Sequence, residues 1–283
     1  MRWVKWFCLT AGLALLAVAV YSGSPVSVQT GTDTGVDLPI IMYHSILKDP
    51  DLTGTYVLPP DQLECDLKYI RQAGYTPVLL KDVISYVKDA DADLPEKPIL
   101  LTFDDGYYNN YLYVYPLMKQ YGMKCVLSIV GKHTADLRPG EHQSPNYSHC
   151  SWDQLREMSE SGLVEVQNHS YDMHTISSER AGARKCSGET AEHYRKVLKE
   201  DVGYLQELIA QKVGVCPTTF TYPYGKYSEE SEVILKEMGF EATLSVAPGI
   251  NHLTKGGSLS LLKRNNREPG LSSAEFFECL LKG

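Results

Sequence analysis

Short apolar runs that suit buried strands alternate with amphipathic helical segments along most of this chain. Strands separated by helices pair in parallel, because each helix returns the chain to the starting end of the sheet. The pattern therefore predicts an α/β fold, either a barrel or a doubly wound sheet. No GxGxxG sequence follows the first strand, which disfavours a dinucleotide-binding fold. The predicted strands are 39–43, 75–80, 99–103, 124–130, 163–168, 218–222, 242–244 and 259–264.

In a barrel, the loops that follow the strands build the active site. Residues that follow predicted strands are therefore candidate site residues. They are His44, Asp104, Asp105, His169, Pro223 and Tyr224.

The first 22 residues have the layout of an export signal or a short membrane anchor. Arg2 and Lys5 precede an apolar run of about 16 residues, shorter than the roughly 20 that span a bilayer. Residues 23–38 are rich in Ser, Thr, Gly and Asp, so we expect a flexible linker there and a folded domain at 39–283. An exported protein is expected, either extracellular or tethered at the cell envelope.

Composition narrows the function classes. The formal net charge of -8 argues against a nucleic-acid groove. Nineteen tyrosines and three tryptophans suit a site that stacks on sugar rings. Six cysteines follow the export segment, and Cys150 with Cys186 is the first pair to test for a disulfide, since both lie in polar, irregular stretches.

The run Ile99 to Gly106, ILLTFDDG, ends a buried strand in two adjacent carboxylates. Asp104 and Asp105 repel each other, so water or a shared cation must keep them together. An ordinary Asp-Gly turn is the alternative, since this pair is common in turns.

A second stretch, NHSYDMH, places His169 and His174 just after another predicted strand. Two histidines and one carboxylate with an open position are the ligand set of a catalytic zinc site. Asp104, next to such a metal, would then be a base for the attacking water.

Three motifs occur in a fixed order: TFDDG at 102–106, HSYDMH at 169–174 and YPYG at 222–225. With the lead-in IIMYHSI at 40–46, the chain resembles the polysaccharide deacetylases with a NodB homology domain, carbohydrate esterase family 4. It is most similar to exported poly-N-acetylglucosamine deacetylases, over residues 39–264. The resemblance implies a distorted (β/α) barrel of about seven to eight parallel strands. It also implies metal-dependent removal of N-acetyl groups from an amino-sugar polymer of the peptidoglycan, chitin or poly-N-acetylglucosamine type.

The resemblance also implies roles for individual residues. Asp104 would be the general base, and Asp105, His169 and His174 the metal ligands. Zinc is the default ion, and cobalt, nickel or manganese fit the same ligands. The backbone N–H of Tyr224 would help to hold the oxyanion, and Tyr222, Pro223 and Tyr224 would contact substrate.

The chain departs from the commonest family pattern in three places. The two metal-binding histidines are five residues apart rather than four, so a loop rather than one helical face must carry them. Thr221 occupies the position of an arginine that tunes the base, and Arg264 is a substitute from a neighbouring strand. The histidine that protonates the leaving amine lacks a clear motif, which leaves His252 and His44 as candidates.

Two alternatives to an N-deacetylase stay open at this point. One is an esterase that acts on O-acetylated polysaccharides, and the other is a carbohydrate-binding relative without catalysis. The missing arginine favours the second, and the intact Asp104 weighs against it, since binding alone needs no base. The expected partner is an N-acetylated polysaccharide, and a monomer is expected.

Overall fold

The computed structural model describes residues 35–138, 140–178 and 180–281. The predicted export segment and most of the predicted linker therefore lie outside the described residues. The strands are β1 Val36–Tyr43, β2 Ser45–Ile46, β3 Val57–Leu58, β4 Thr76–Pro77, β5 Pro98–Phe103, β6 Cys125–Ile129, β7 Val164–Asn168, β8 Thr219–Thr221, β9 Ala242–Leu244, β10 Ile250–Leu253 and β11 Asn265–Asn266. The helices are α1 Pro60–Gln72, α2 Leu80–Lys88, α3 Tyr115–Tyr121, α4 Gly131–Ala135, α5 Trp152–Glu160, α6 Ala191–Lys212, α7 Glu229–Glu237 and α8 Ser273–Leu281. None of the helices among these described residues is both long and apolar enough to cross a membrane.

The main sheet is parallel in the order β1, β5, β6, β7, β8, β9, and β11 pairs in parallel with the other side of β1. A parallel bridge between Leu244 and Leu262 joins β9 to the segment that leads into β11. The sheet thus curls back on itself, and the predicted (β/α) barrel is confirmed. It is distorted because β10 pairs antiparallel with the amino half of β1.

Two boundaries differ from the sequence prediction. Strand β1 begins at Val36, three residues before the predicted start of the domain. The strand predicted at 259–264 is wrong in extent, because that segment forms a single bridge at Leu262 and the strand proper is Asn265–Asn266.

Strand β5 is buried on both faces, as expected of a central parallel strand covered by helices. Ile99, Leu101 and Phe103 pack in the outer cluster with helices α1 and α3. Leu100 belongs to a second cluster with Ile40, Val126 and Leu244, which are contributed by strands around the barrel interior. Because side chains alternate along a strand, Thr102 and Asp104 face the same interior as Leu100. The core therefore aims Asp104 into the mouth of the barrel.

The predicted disulfide between Cys150 and Cys186 is not formed. Cys150 is a fully buried free thiol whose Sγ donates to the carbonyl of Tyr107 at 3.2 Å. Burial raises the pKa of this thiol to about 12. Cys150 is therefore a core residue of the loop that packs against the TFDDG strand end.

A buried ion pair fastens helix α1 to the segment after β11. Arg267 donates from Nε to Asp66 Oδ2 at 3.0 Å and from Nη2 to Oδ1 at 3.1 Å, and Tyr43 donates to the same carboxylate at 3.1 Å. Both charged side chains are fully buried. The pair thus holds the carboxyl end of β1 against the closing segment of the barrel.

Replacing Arg267 with Met is expected to lower the free energy of unfolding by about 3–5 kcal/mol, because it leaves the Asp66 carboxylate buried without its cationic partner. Urea unfolding at pH 7, followed by circular dichroism, measures the change. The double variant Asp66→Leu with Arg267→Met should recover part of the loss, since it removes both charges. A single variant within about 1 kcal/mol of the parent would contradict this role for the pair.

Candidate metal centre and active site

Asp105, His169 and His174 converge at the mouth of the barrel. The Nε2 atom of His174 lies 3.1 Å from Asp105 Oδ1, and that of His169 lies 3.5 Å from the same oxygen. One ligand atom from each of the three residues lies within 4.8 Å of the others. Asp105 and His169 are buried, whereas His174 is partly exposed, so the cluster is reached from solvent on one side.

Backbone conformation at the strand end turns Asp105 into this cluster. Asp105 follows β5 with a φ of 72°, and Gly106 follows with a φ of 76°. Residues other than glycine are uncommon in the left-handed region, where Asp is one of the enriched types, and strained backbone positions cluster at functional sites. Gly106 has a second constraint, because a Cβ there would lie 2.9 Å from the side chain of Ile129.

A loop rather than a helix carries the two histidines, as their spacing predicts. Ser170 has a φ of 72°, and its N–H donates to Asn168 Oδ1 at 2.9 Å. Asp201 on α6 then accepts the N–H groups of Tyr171 and Asp172, each at 2.8 Å. These bonds turn the chain back, so the rings of His169 and His174 lie 5.0 Å apart between centroids.

The orientation of the His169 ring is fixed by the third motif. Its Nδ1 lies 2.7 Å from the carbonyl oxygen of Thr221, which only accepts hydrogen bonds. Nδ1 therefore carries the proton, and Nε2 presents its lone pair towards Asp105. A backbone acceptor on the far ring nitrogen is the usual partner of a metal-binding histidine.

The donor set fits a divalent cation. Asp105 Oδ1 is buried without a hydrogen-bond partner among the described residues, and it faces two imidazole nitrogens. Burial alone would raise the pKa of Asp105, but the close imidazoles of His169 and His174 hold that pKa well below its ordinary value. An ionised carboxylate with two imidazoles is a set that suits zinc, cobalt or nickel.

Asp104 is held by a buried arginine. Arg264 donates from Nη1 to Asp104 Oδ1 at 2.8 Å and from Nε to the carbonyl of Ser245 at 2.8 Å. Burial would raise the pKa of Asp104, but the charges of Arg264, His169 and His44 outweigh burial and lower it. The prediction that Arg264 substitutes for the arginine missing at Thr221 is confirmed at the level of this contact.

His44 lies on the other side of Asp104, with its Nε2 at 4.0 Å from Asp104 Oδ2. Its carbonyl accepts from Asn110 Nδ2 at 2.9 Å, and its ring lies 4.6 Å from that of Tyr56. Burial lowers the pKa of His44, although the two carboxylates beside it oppose this. His44 is therefore the candidate acid that the structure brings to the site.

His252 is not in the site, and its assignment as the acid is wrong. It lies on β10 opposite Asp37, and its Nδ1 is 2.7 Å from the Asp37 carboxylate. Asp37 precedes His44 by seven residues of extended chain, which corresponds to roughly 23 Å along β1. The antiparallel pairing of β10 thus places His252 at the opposite end of the barrel.

In the third motif Tyr222 and Pro223 are buried, whereas Tyr224 is exposed beside His174. Tyr222, which was predicted to contact substrate, packs in the core and also contributes to the lining of the cavity at the barrel mouth. Its ring is fully buried and its hydroxyl lies 2.9 Å from Ser231 Oγ and 2.6 Å from Glu232 Oε1, both on α7. Pro223 is buried as well. Tyr224 has a φ of 55° and is 40% exposed, and its ring lies 4.3 Å from that of His174.

The backbone N–H of Tyr224 lies in the short segment Pro223–Gly225, where Tyr224 itself has a left-handed conformation with φ 55° and ψ 15°. Donation from this N–H to a developing oxyanion stays a prediction.

These residues surround a cavity of about 480 Å³. Some lining residues were missed by the sequence analysis, because none belongs to the three motifs at 102–106, 169–174 and 222–225; Met42 lies in the lead-in on β1, and Asn266 lies on β11. The missed residues are Met42, Tyr56, Tyr107, Val246, Asn266 and Glu268. The cavity is large enough for a sugar unit, and its floor holds the carboxylates and histidines described above.

Comparisons with known proteins point to one family. The sequence model of the polysaccharide deacetylases matches residues 91–243. The Bacillus subtilis (strain 168) protein YxkH, named provisionally as a polysaccharide deacetylase, is 27% identical over 245 residues, 87% of this chain and 76% of that protein. The poly-beta-1,6-N-acetyl-D-glucosamine N-deacetylase of Escherichia coli (strain K12) is 28% identical over 209 residues, 68% of this chain and 31% of that protein. The structure of IcaB from Ammonifex degensii superposes with a TM-score of 0.68 at 26% identity, covering 83% of this chain and 93% of that one.

Proposed function

Because this chain belongs to the polysaccharide deacetylase family, we propose that it hydrolyses N-acetyl groups of an amino-sugar polymer, releasing acetate and leaving free amines. The observation that carries the proposal is the convergence of Asp105, His169 and His174 beside an ionised Asp104. A polymer of the poly-N-acetylglucosamine type is the proposed substrate, since relatives that match this chain are named for that activity. Peptidoglycan-like and chitin-like polymers are the substrates to compare with it.

Asp105, His169 and His174 would hold a divalent cation, and we propose zinc. A cation bound there would polarise the acetyl carbonyl and acidify a water molecule. The partly exposed His174 lies towards the cavity, so substrate reaches this position from the barrel mouth.

Asp104 is proposed to take the proton from the attacking water. Arg264 engages Oδ1, and its charge lowers the pKa of the carboxylate in a site where burial alone would raise that pKa. The second oxygen, Oδ2, faces His44. A fixed, ionised carboxylate at this position is what general base catalysis requires.

Two groups are proposed to act on the substrate atoms. The Tyr224 N–H would donate to the oxyanion, and protonated His44 would give its proton to the leaving nitrogen. An amine is a poor leaving group without that proton. The contact between Asp104 and Arg264 also removes the feature that favoured a non-catalytic carbohydrate-binding protein, since the base retains its arginine.

We further propose that residues 1–22 export or anchor the chain and that the protein acts as a monomer at the cell envelope. Residues 23–38 would connect this segment to the catalytic domain at 39–283, although the fold itself begins at Val36.

The metal-ligand assignment has a direct test. We expect the purified protein to bind one zinc ion per chain in a calorimetric titration. Asp105→Ala should weaken binding and lower acetate release from N-acetylglucosamine oligomers by about 100-fold or more, because the carboxylate ligand is lost.

Asp153→Ala is the matched control, since Asp153 is exposed on α5, pairs with Arg156 and does not line the cavity. It should leave both zinc binding and acetate release unchanged. Full activity after exhaustive chelation, or in Asp105→Ala, would overturn the proposed function.

The role of His44 is tested by changing the leaving group. His44→Ala should slow hydrolysis of the N-acetylated oligomer by about 10²–10³-fold, because the amine leaves unprotonated. Hydrolysis of 4-nitrophenyl acetate should fall by less than about ten-fold, since a phenolate leaves without help. His252→Ala should change neither rate.

The same variant makes a pH prediction. A general acid must be protonated, so amide hydrolysis falls as pH rises through its pKa. Burial places the pKa of His44 below its ordinary value of about 6.5, so the decline in kcat/KM begins below that pH. His44→Ala should lose this alkaline limb, and an equal loss on both substrates with the limb retained would contradict the assignment.

A further inference from the structure

We infer that one wall of the cavity, formed by Tyr56, Asn266 and Glu268, binds the sugar unit next to the reacting one, and that Glu268 pairs with the ammonium group of a unit already deacetylated. Reading this wall as a sugar subsite rests on the proposed function. The three residues line the same cavity as Asp104 and the metal-ligand cluster.

Tyr56 offers an exposed aromatic face at this wall. Its ring is 56% exposed and lies 4.6 Å from the ring of His44, on the side of the cavity away from Tyr224. Its carbonyl accepts the N–H of Ser45 at 3.1 Å, so the backbone of the loop is fixed to β2. A rigid, exposed tyrosine beside a catalytic pocket provides a stacking surface for a sugar ring.

Asn266 joins the Tyr56 loop to Glu268. Its Nδ2 donates to the carbonyl of Thr55 at 2.9 Å and lies 3.4 Å from Glu268 Oε1. Asn266 belongs to β11, which is paired with β1. The carboxylate is thus placed by the barrel rather than by a free loop.

Glu268 has no cationic partner within 4.0 Å among residues 35–138, 140–178 and 180–281. The guanidinium of the neighbouring Arg267 forms its ion pair with Asp66. Its hydrogen bond to Glu268 goes to the main-chain carbonyl and not to the carboxylate. Glu268 is exposed and lines the cavity, so its carboxylate is accessible to a ligand there. The wall therefore presents one uncompensated negative charge next to an aromatic ring.

The charges of the cavity indicate which ligand group this carboxylate meets. Asp104 pairs with Arg264 and Asp105 is a candidate metal ligand, so Glu268 is the carboxylate of the described cavity lining that contacts neither a cationic side chain nor the metal-ligand cluster. An N-acetylated polymer is neutral, and its cationic groups are the amines that deacetylation creates. Glu268 would therefore favour a chain that already carries a free amine beside the next acetylated unit, so that deacetylation promotes itself along the polymer.

The test uses trimers of β-1,6-linked N-acetylglucosamine, fully acetylated or carrying one terminal glucosamine at either end. We expect the kcat/KM of the parent protein for one of the two glucosamine-containing trimers to exceed its kcat/KM for the fully acetylated trimer by about two- to five-fold, as for an exposed ion pair. Glu268→Gln should abolish this preference, measured as the ratio of kcat/KM between the glucosamine-containing and fully acetylated trimers, and Glu268→Lys should reverse it. The preference should also shrink as ionic strength rises. Glu207→Gln, the same charge change on the outer helix α6, should have no effect.

Binding gives a readout that does not depend on turnover. In a calorimetric titration, the preferred glucosamine-containing trimer should bind to the Glu268→Gln variant about two- to five-fold more weakly than it binds to the parent protein. An equal effect of Glu268→Gln on acetylated and deacetylated trimers, or none on either, would overturn the inference. Binding that depends on Glu268 without acetate release from any trimer would overturn the proposed function and support the subsite.

Discussion

Replacing Asp104 with asparagine is expected to lower acetate release by about 10²–10⁴-fold, the usual contribution of a positioned general base. Asparagine keeps the shape of the side chain and still accepts from Arg264, but it cannot take a proton. Zinc affinity should stay close to that of the parent protein, because the proposed ligand is Asp105. Initial rates with N-acetylglucosamine oligomers and a zinc titration of the same sample measure the two effects.

The control and the pH profile sharpen this expectation. Asp153→Asn carries the same chemical change on an exposed helix position and should be fully active. Because Arg264, His169 and His44 lower the pKa of Asp104 despite its burial, the parent protein should keep its base ionised below pH 4. Activity in Asp104→Asn above about a tenth of the parent value would assign the base to another residue.

The fold could be predicted from sequence wherever local pattern and burial agree. The apolar run of β5 and the helices between strands leave few parallel arrangements, and the barrel follows from them. The closing segment could not be predicted to its correct extent. Leu262 meets Leu244 through a single bridge, and only the curvature of the whole sheet decides where β11 begins.

The site residues that directly follow a buried strand could be predicted from the sequence. Asp104, Asp105 and His169 all follow buried strands, and parallel strands present their carboxyl ends at the same edge of the barrel. His174 was less certain, because its position depends on a turn anchored by Asp201 on α6. That contact is tertiary and leaves no trace in the local pattern.

His252 shows the opposite case. A histidine near the end of the domain was a candidate for the acid, but antiparallel pairing of β10 carries His252 to the other end of β1. Strand direction decides this position, and sequence spacing does not encode it. The motif likewise does not show that the hydroxyl of Tyr222 is satisfied by Ser231 and Glu232 inside the core.

Replacing Arg264 with methionine is expected to damage both stability and catalysis. The variant leaves Asp104 buried without its counter-charge, which should lower the free energy of unfolding by about 3–5 kcal/mol. Burial then dominates and raises the pKa of Asp104. Since the base must be ionised, activity is lost as pH falls through this pKa, so the acid limb of kcat/KM moves to higher pH. Urea unfolding and a pH–rate profile measure the two changes.

A second variant distinguishes the charge effect from a packing defect. Arg264→Met combined with Asp104→Asn buries no unpaired carboxylate, so it should be more stable than Arg264→Met alone. Arg264→Lys keeps a positive charge, so its acid limb should lie closer to that of the parent protein. If Arg264→Met lost stability with an unmoved acid limb, the arginine would only fill space between Ser245 and Asp104. A lower free energy of unfolding together with a shifted acid limb is expected only if the Arg264 guanidinium both stabilises the fold and keeps the Asp104 carboxylate ionised.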